Sequence, residues 1–317
     1  MFMPLQGRKF VIVGGAGLIG SAVARQLAED GSADVIICDT IGPVCAEKWT
    51  CLPANLYDIW TPQDLLPHLE RAWRDVGAIM LFADAGHRQG DGDALFETAY
   101  HLPRRLWDFA AAKQRPICWA STSQVYGDRQ SDGRADPHVI ATFKPTTPFG
   151  RAKQAFDLFA ARQGYSPNAP PISTGFRLSS VYGAGEDHKG DWASLPTRAL
   201  NAARNANKLG IWDLSSLSDV AGARDWVHVE DAASAIVQVT LQGHGGFFDI
   251  GSGTLYAPSQ LLCSVEAMTG KPVHIDPIAP PRASQVSPLP AADLSHLEAC
   301  GIKVAFCELA AGLNRQP

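Results

Sequence analysis

The sequence predicts an α/β fold, built on a doubly wound parallel sheet with a smaller lobe at the carboxyl end. The first observation is a series of short, continuous apolar runs of strand length, such as Lys9–Val13 and Ile117–Thr122. Continuous apolar runs are typical of strands that helices cover on both faces. The second observation is that segments with helical spacing separate these runs, and the third is a glycine-rich turn after the first run. Alternation of this kind indicates parallel strands joined by helices.

The composition excludes several classes of protein before any motif is considered. The chain has 317 residues, of which 46% are hydrophobic and 19% charged, and this is too apolar for a disordered protein. The formal charge of -5 argues against a general nucleic-acid binder. No apolar run reaches the length of a membrane span, about 18 residues, and the seven cysteines form no metal-type cluster. We therefore expect a cytoplasmic protein with reduced thiols, no metal, and no nucleic-acid or membrane partner.

The first strand–helix–strand unit carries the clearest functional pattern. The strand Lys9–Val13 leads into the turn Gly14-Gly-Ala-Gly-Leu-Ile-Gly20, and a helix follows over residues 21–30. Gly14 permits the tight turn, Gly17 lets the backbone approach a pyrophosphate, and Gly20 lets helix and strand pack closely. The N–H groups and dipole at the helix start would meet the pyrophosphate charge. This order of elements predicts a dinucleotide cofactor.

The second strand, predicted over Asp34–Asp39, ends in an acid. Asp39 lies about 20 residues after the glycine turn, where a carboxylate binds the ribose diol of a dinucleotide. The same carboxylate would repel a 2′-phosphate. Asp39 therefore favours NAD over NADP.

The rest of the chain continues the alternation and then loosens. Helices are predicted over residues 61–76, 94–114, 149–162 and 193–205, from Glu230 onward, and twice more near the carboxyl end. Thr61 would cap the first of these with Pro62 as its first residue, and Pro103 would kink the second. Further strands are predicted at Ala78–Phe82, Ile117–Thr122, Ile172–Leu178, Asp225–Val229 and Phe247–Ile250. We expect residues 1–185 to form a dinucleotide-binding domain and residues 186–317 mainly a substrate-binding lobe, with some late elements returning to the main sheet.

With these elements in place, the chain resembles the extended short-chain dehydrogenase/reductase family, the NAD-dependent nucleotide-sugar epimerases and dehydratases. The glycine turn has the family's spacing, residues 120–127 resemble its catalytic hydroxyl strand, and residues 224–231 resemble its arginine-aspartate segment. Residues 55–58 resemble the segment that cups the adenine. Within the family the chain is most similar to the ADP-heptose 6-epimerases, because Asp84 and the run 186–194 resemble their acid and their lysine loop. The resemblance implies a Rossmann fold.

The resemblance also implies roles for individual residues. Thr122 would polarise the reacting hydroxyl, Lys153 would orient the nicotinamide ribose, and Lys189 would act as an acid/base. Together with the glycine turn it implies cofactor contacts for Gly14, Gly17, Leu18, Ile19, Gly20, Asp39, Thr40, Asn55, Leu56, Ala83, Asp84, Ala85, Ala99, Lys153, Val181 and Lys189. Substrate contacts are implied for Ser123, Ser180, Asp191, Arg198, Trp212, Ser215 and Arg224.

One position departs from the family's catalytic Y-x-x-x-K pattern. Phe149 stands where the family has tyrosine, one helical turn before Lys153. The tyrosine exchanges a proton with the substrate hydroxyl, and a phenylalanine ring cannot. Three explanations are open: a substitution that traps bound substrate or cofactor, a different acid/base with Lys189 as the best candidate, or a binding protein without chemistry. Ala99 and Ser180 also stand where the family usually has asparagine.

We expect an enzyme that oxidises and re-reduces a carbinol of a nucleotide sugar with tightly bound NAD or NADP, as the ADP-heptose 6-epimerases do. The alternatives within the enzyme class are a 4-epimerase, a dehydratase or a dehydrogenase. A dehydratase is disfavoured because Ser123-Gln124 replaces its Asp-Glu pair. From a different class, the alternative is a non-catalytic NAD(P)-binding protein. The resemblance also implies a homo-oligomer.

Overall fold

The computed structural model describes residues 8–29, 31, 33–42, 48–83, 92–130, 136–205, 207–211, 213–278 and 288–316. The strands are β1 (Lys9–Val13), β2 (Asp34–Cys38), β3 (Asp58–Trp60), β4 (Val76–Leu81), β5 (Ile117–Thr122), β6 (Ser173–Leu178), β7 (Ser180–Tyr182), β8 (Leu209–Ile211), β9 (Trp226–His228), β10 (Gly246–Ile250) and β11 (Ile275–Pro277). The helices are α1 (Leu18–Glu29), α2 (Leu65–Ala72), α3 (Gly92–Phe96), α4 (Leu102–Lys113), α5 (Pro137–Ile140), α6 (Pro148–Gln163), α7 (Leu195–Arg204), α8 (Val229–Gln242), α9 (Pro258–Thr269), α10 (Ser295–Ala299) and α11 (Leu309–Leu313). In the part of the chain that these ranges cover, no helix combines the length and apolarity that a membrane crossing requires.

A parallel sheet of seven described strands forms the centre of the molecule. Its strand order is β10-β6-β5-β4-β1-β2-β3. The winding reverses at β1, which lies between β2 and β4. Doubly wound sheets bind ligands in the crevice at such a reversal, outside the carboxyl ends of the strands. The predicted fold class, a doubly wound parallel α/β sheet of the Rossmann type, is confirmed.

Helices cover both faces of this sheet, and this explains the continuous apolar runs in the sequence. On one face α1 and α8 contribute Leu27 and Ile236 to a core that also contains Ile12 of β1. On the other face α4 and α6 contribute Trp107 and Phe156 to a second core. Val11, the neighbour of Ile12, belongs to that second core because successive strand residues point to opposite faces.

Helix α2 starts later than the sequence predicts. It begins at Leu65 with Asp64 as its N-cap, so the expectation of Thr61 as cap and Pro62 as first residue was wrong. The Thr61 hydroxyl donates to the Asp64 carboxylate at 2.7 Å and closes a turn ahead of the helix. This local hydrogen bond uses the side chain that would otherwise cap a longer helix.

The long helix predicted over residues 94–114 is present but irregular. Helix α3 passes into a π-helical segment, Glu97–His101, and then into α4, which has Pro103 in its first turn. Proline has no N–H to donate to the preceding helical turn, and its ring clashes with the carbonyl of the residue four positions earlier. The widened turn therefore falls directly ahead of Pro103, where the sequence predicts a kink.

The elements that follow β6 contribute to two parts of the molecule. The pairs β7–β9 and β8–β11 form two small parallel sheets outside the main one. Helices α7, α9 and α11 pack together through an apolar cluster that includes Leu200, Leu261 and Leu309. By contrast, β10 pairs with β6 in the main sheet, and α8 shares its core with α1.

Candidate functional site

The glycine turn lies at the reversal point of the sheet, between the end of β1 and the start of α1. Gly14 has φ 81°, and a Cβ there would lie 2.3 Å from the Ala83 nitrogen. A Cβ on Gly20 would lie 2.3 Å from the Gly14 carbonyl oxygen. A Cβ on Gly17 would meet only that same oxygen, at 3.4 Å. The packing of the chain thus requires Gly14 and Gly20, whereas Gly17 leaves space beside the helix start, where an anionic ligand would approach.

The residues after Gly17 anchor the helix rather than project from it. Leu18 is buried in the core under α1, and Ile19 is half-buried against the same core. The Ser21 amide donates to the Gly17 carbonyl at 2.9 Å, which continues the helical hydrogen bonding from the turn. Any contact that these two apolar residues make with a cofactor is therefore through their backbone or a limited exposed surface.

Asp39 follows β2, and its carboxylate faces the glycine turn. It accepts hydrogen bonds from the amides of Ala16 at 2.9 Å and Thr40 at 2.7 Å. It also forms an ion pair with Lys48, whose Nζ lies 2.9 Å from Oδ1. The sequence predicts the acid but not its cationic partner. Because Lys48 offsets the charge of Asp39, the repulsion of a 2′-phosphate is weaker than the carboxylate alone would impose.

Three other predicted cofactor residues lie around the same crevice. Asn55 is exposed just ahead of β3, and Leu56 is half-buried against the core of α1. Ala83 follows β4 and its backbone lies directly against Gly14. Asp84 and Ala85 lie outside the described residues, and so does Trp212.

Lys153 of α6 contacts β5, the strand that ends at Thr122. The Lys153 Nζ is buried and donates to the Ala120 carbonyl at 2.8 Å, two positions before Thr122 on the strand. Thr122 caps the short 3₁₀ turn Ser123–Tyr126, and its hydroxyl accepts from the Gln124 amide at 3.3 Å. Ser123 is buried within this turn.

The same 3₁₀ turn also fixes the start of α6. The Thr147 hydroxyl donates to Gln124 Oε1 at 2.7 Å and accepts from the Gly150 amide at 3.0 Å, so it caps the helix. Sequence reasoning did not single out this link, although Thr147-Pro148 is a standard helix start. The helix that carries Lys153 is thereby held against the strand that carries Thr122.

Phe149 lies beside Lys153 in apolar surroundings. The Lys153 Nζ lies 5.4 Å from the centroid of the Phe149 ring. The ring is half-buried and packs against a small buried cluster formed by Leu95, Ala99 and Ala152. Ala99, in the π-helical segment, is almost fully buried there. The two positions where the resemblance implies a phenol and an amide are therefore occupied by apolar side chains of one small cluster.

Tyr126, in the same 3₁₀ turn as Ser123, is engaged with charged side chains. Its ring is fully buried, its hydroxyl donates to Asp249 Oδ1 at 2.6 Å, and it accepts from Arg177 Nη1 at 3.0 Å. Arg177 Nε in turn lies 3.4 Å from Asp157 Oδ2. Burial raises the pKa of Asp249 to about 6, against the opposing effects of the Tyr126 hydrogen bond and the Arg177 charge. Tyr126 is thus part of a buried charged network behind the strand end.

Lys189 lies in a separate loop, the lysine loop (Glu186–Ser194). Its Nζ forms an ion pair with Glu186 Oε1 at 2.7 Å. Burial lowers the pKa of Arg198 in α7. The charge of Asp191, which lies in the same loop as Lys189, acts against this lowering. Arg198 Nη2 also donates to the Gly210 carbonyl. Lys189, Asp191 and Arg198 are thus grouped together, and no described contact joins Lys189 to Thr122 or Lys153.

The remaining predicted substrate residues lie along β7, β9 and the segments that flank them. Ser180 and Val181 pair with residues of β9, and the backbone of Arg224 just before β9 pairs with that of Tyr256. Arg224 Nη1 donates to the carbonyls of Ala221 at 2.9 Å and Ala223 at 2.7 Å. Burial lowers the pKa of Arg224, and no carboxylate contacts it among the described residues. Ser215 is exposed in a 3₁₀ turn.

The arrangement at the glycine turn suits a dinucleotide. Among the residues that the structure describes, no group of three or more His, Cys, Asp or Glu side chains could hold a metal ion. The open space beside Gly17, the start of α1 and the Asp39 carboxylate form a cradle with donors for a pyrophosphate and an acceptor for a ribose. Thr122 and Lys153 stand at the end of β5, on the same edge of the sheet.

The chain is similar in sequence and in fold to several known proteins. The chain is 28% identical over 317 residues to the ADP-L-glycero-D-manno-heptose-6-epimerase of Nitratidesulfovibrio vulgaris, covering 96% of this chain and 95% of that protein. The structure is similar to that of the Helicobacter pylori ADP-L-glycero-D-manno-heptose-6-epimerase, with a TM-score of 0.78, 19% identity, and coverage of 99% and 96% of the two chains. It is also similar to Thermus thermophilus UDP-glucose 4-epimerase in complex with NAD, with a TM-score of 0.77, 19% identity, and coverage of 97% and 98%.

The family assignment rests on a match that spans most of the chain. Residues 10–251 match the model of the NAD dependent epimerase/dehydratase family. This range contains the glycine turn, Asp39, Thr122 and Lys153, so the resemblance inferred from the motifs is confirmed. The chain belongs to the NAD-dependent epimerase/dehydratase family.

Proposed function

We propose that this protein is a nucleotide-sugar epimerase that uses tightly bound NAD or NADP, with an ADP-heptose as substrate and C6 as the reacting centre. The observation that carries the proposal is the position of Lys153, whose ammonium donates to the Ala120 carbonyl on β5, two positions before Thr122. The cradle at Gly17 and Asp39 opens at the same edge of the sheet. The similarity to the N. vulgaris heptose epimerase over 96% of this chain supports the choice of substrate.

The cofactor would supply hydride chemistry, accepting a hydride from the sugar carbinol and returning it to the opposite face of the resulting ketone. Gly14, Gly17 and the start of α1 would hold the pyrophosphate, and Asp39 and Thr40 the adenosine ribose. Asn55, Leu56 and Ala83 would line the adenine side, with Asp84, Ala85, Ala99 and Val181 completing the contacts. Redox is internal to each turnover, so no second reductant is consumed.

Side chains of this chain would contact the reacting group, the cofactor and the rest of the substrate. Thr122 would hydrogen-bond the reacting oxygen, and Lys153 would hold the nicotinamide ribose. The neutral amine of Lys189 would take the carbinol proton when the sugar is oxidised in one orientation, and the ammonium so formed would return it on reduction. Phe149 has no exchangeable proton, so the side of the site where a phenol would lie has no acid/base of its own. Ser123, Ser180, Asp191, Arg198, Trp212 and Ser215 would contact the substrate. Arg224, a half-buried guanidinium that bonds only to carbonyl oxygens in the described contacts, suits the substrate diphosphate.

Lys48 is expected to set the preference between NADP and NAD. Replacing Lys48 with methionine should raise the Kd for NADP about tenfold to hundredfold relative to that for NAD, because a charge-assisted hydrogen bond of about 1.5–3 kcal/mol to the 2′-phosphate is lost while Asp39 remains. Calorimetric titration with each dinucleotide measures this ratio. Lys113→Met is the matched control, since Lys113 pairs with Glu70 away from the crevice. An unchanged ratio in Lys48→Met would contradict the assignment.

The function is tested by incubating the protein with ADP-heptose and following the ratio of C6 epimers by chromatography. The native chain and a Phe149→Tyr variant are assayed together, with Lys153→Met as the inactive control. Epimerisation that depends on Lys153 would support the proposal. The enzyme proposal fails if neither chain epimerises any nucleotide sugar or reduces bound cofactor.

One observation favours a second candidate function. The packing of Phe149 against Ala99 and Leu95 gives the catalytic position an apolar character, which suits a non-catalytic NAD(P)-binding protein. Within the enzyme class, another nucleotide-sugar oxidoreductase is the alternative, such as a 4-epimerase, dehydratase or dehydrogenase. Mass spectrometry of the purified protein separates these candidates, because a bound nucleotide sugar identifies an enzyme's substrate. We further propose a cytoplasmic homo-oligomer.

A further inference from the structure

Glu186 is a buried carboxylate that no part of the proposed chemistry uses. It is 1% exposed and accepts from Lys189 Nζ at 2.7 Å. It also accepts from the Ser194 hydroxyl at 2.5 Å and amide at 3.2 Å, and from the Thr197 hydroxyl at 2.7 Å. A carboxylate is buried at a large desolvation cost unless it is paired and hydrogen-bonded. The four donors meet that requirement, and Lys189 is the only cation among them.

The position of Glu186 joins the two ends of the lysine loop. Glu186 lies at the start of the loop, directly after Gly185 with φ 97°, and its partner Ser194 lies at the end. Ser194 is also the N-cap of α7, and its carbonyl accepts from the Arg198 amide at 3.0 Å. Through Ser194, one carboxylate fixes the loop that carries Lys189 against the helix that carries Arg198.

The side chain of Lys189 is held by Glu186 and remains partly exposed. Its side chain is 27% exposed, so Nζ contacts the buried carboxylate on one side and part of the side chain faces solvent. A lysine side chain that is not anchored samples many rotamers, and ordering it opposes any reaction that requires one position. The ion pair with Glu186 removes most of that freedom before substrate arrives.

We propose that Glu186 is the positioning residue for Lys189, and that it acts through the lysine without touching the substrate. This proposal rests on the proposed function, in which Lys189 exchanges a proton with the reacting oxygen. Glu186 is too deeply buried to meet the substrate itself. The rate of epimerisation should therefore depend on the charge and length of the Glu186 side chain, whereas the affinity for the cofactor should not.

The kinetic test uses the Phe149→Tyr protein as parent. Adding Glu186→Gln keeps an acceptor for Ser194 and Thr197 but removes the ion pair, and kcat should fall on the order of tenfold to hundredfold, the cost of a displaced reacting group. The KM for the nucleotide sugar and the Kd for NADP should change little. Glu186→Asp, which restores the charge, should recover part of kcat. Thr197→Val is the matched control, because it removes one neutral hydrogen bond from Glu186 and leaves the ion pair.

A second measurement does not need activity. In the native chain, modification of Lys189 by an amine-directed reagent is followed by peptide mass spectrometry. Glu186→Gln should increase the rate several-fold, because Nζ is released from the carboxylate, whereas Thr197→Val should not. Unchanged labelling in Glu186→Gln, or an unchanged kcat, overturns the positioning role. If the Phe149→Tyr parent shows no epimerisation at all, the proposed function fails, and the labelling result still decides whether Glu186 holds Lys189.

Discussion

Replacing Phe149 with tyrosine is expected to raise the rate of nucleotide-sugar epimerisation by about 10²–10⁴-fold, the usual contribution of a general acid/base. The new hydroxyl would sit on α6 one turn from Lys153, whose ammonium already lies 5.4 Å from the ring centroid. A cation at that distance favours the phenolate and so lowers the pKa of the added phenol. The measurement is the initial rate of C6 epimer formation from ADP-heptose.

Two further variants show whether such a gain comes from proton transfer. Phe149→Leu keeps the apolar contact with Leu95 and Ala99 but adds no hydroxyl, so it should leave the rate at the native level. Lys153→Met combined with Phe149→Tyr should abolish the gain, because the phenol loses its neighbouring cation. If Phe149→Tyr is no faster than the native chain, the phenol is not the missing element, and Lys189 or a loss of chemistry becomes the better explanation.

Arg177→Met is expected to lower the free energy of unfolding by about 3–5 kcal/mol, the cost of breaking a buried ion pair by removing one partner. Arg177 is fully buried and is the cation of a network with Asp157, Tyr126 and Asp249. Without it, two buried carboxyl groups lose their counter-charge. Burial already raises the pKa of Asp157, and the charge of Arg177 acts against that rise.

Urea denaturation at neutral pH measures this loss. Arg105→Met is the matched control, because Arg105 pairs with Glu97 on an exposed helix surface, and its loss should change the free energy by less than about 1 kcal/mol. A loss of under about 1 kcal/mol for Arg177→Met, the value of one ordinary hydrogen bond, would contradict the role assigned to the network.

Features that depend on neighbouring residues in the sequence could be predicted, and those that depend on distant segments could not. The glycine turn and Asp39 were found because their spacing reflects local backbone geometry. The pairing of Asp39 with Lys48 was missed because it joins β2 to a later 3₁₀ turn. The edge strand β3 was missed because two of its three residues are exposed, so it has no apolar run.

In the candidate site, too, the residues of local motifs could be predicted and the contacts between distant segments could not. Thr122, Lys153 and Phe149 were identified from motifs, and the structure brings Lys153 to the strand of Thr122 and to the ring of Phe149. Glu186 was visible only as part of the lysine loop, although an acid three positions before a lysine is a common ion-pair spacing on a helical turn. Its burial and its bonds to Ser194 and Thr197 depend on the docking of α7, which the sequence pattern does not reveal.

The late return of β10 to the main sheet has a consequence for synthesis of the chain. The strand that completes the sheet beside β6 ends at Ile250, and α8, which covers α1, ends only shortly before it. While the chain is still emerging from the ribosome, the glycine turn and β1 to β6 can be complete and yet lack this strand and this helix. In the sequence, β7, β8 and β9 thus lie between β6 and β10, which are neighbouring strands of the main sheet. A protein shortened after residue 185 would expose an unpaired edge of β6 and an apolar face of α1, and both features promote aggregation.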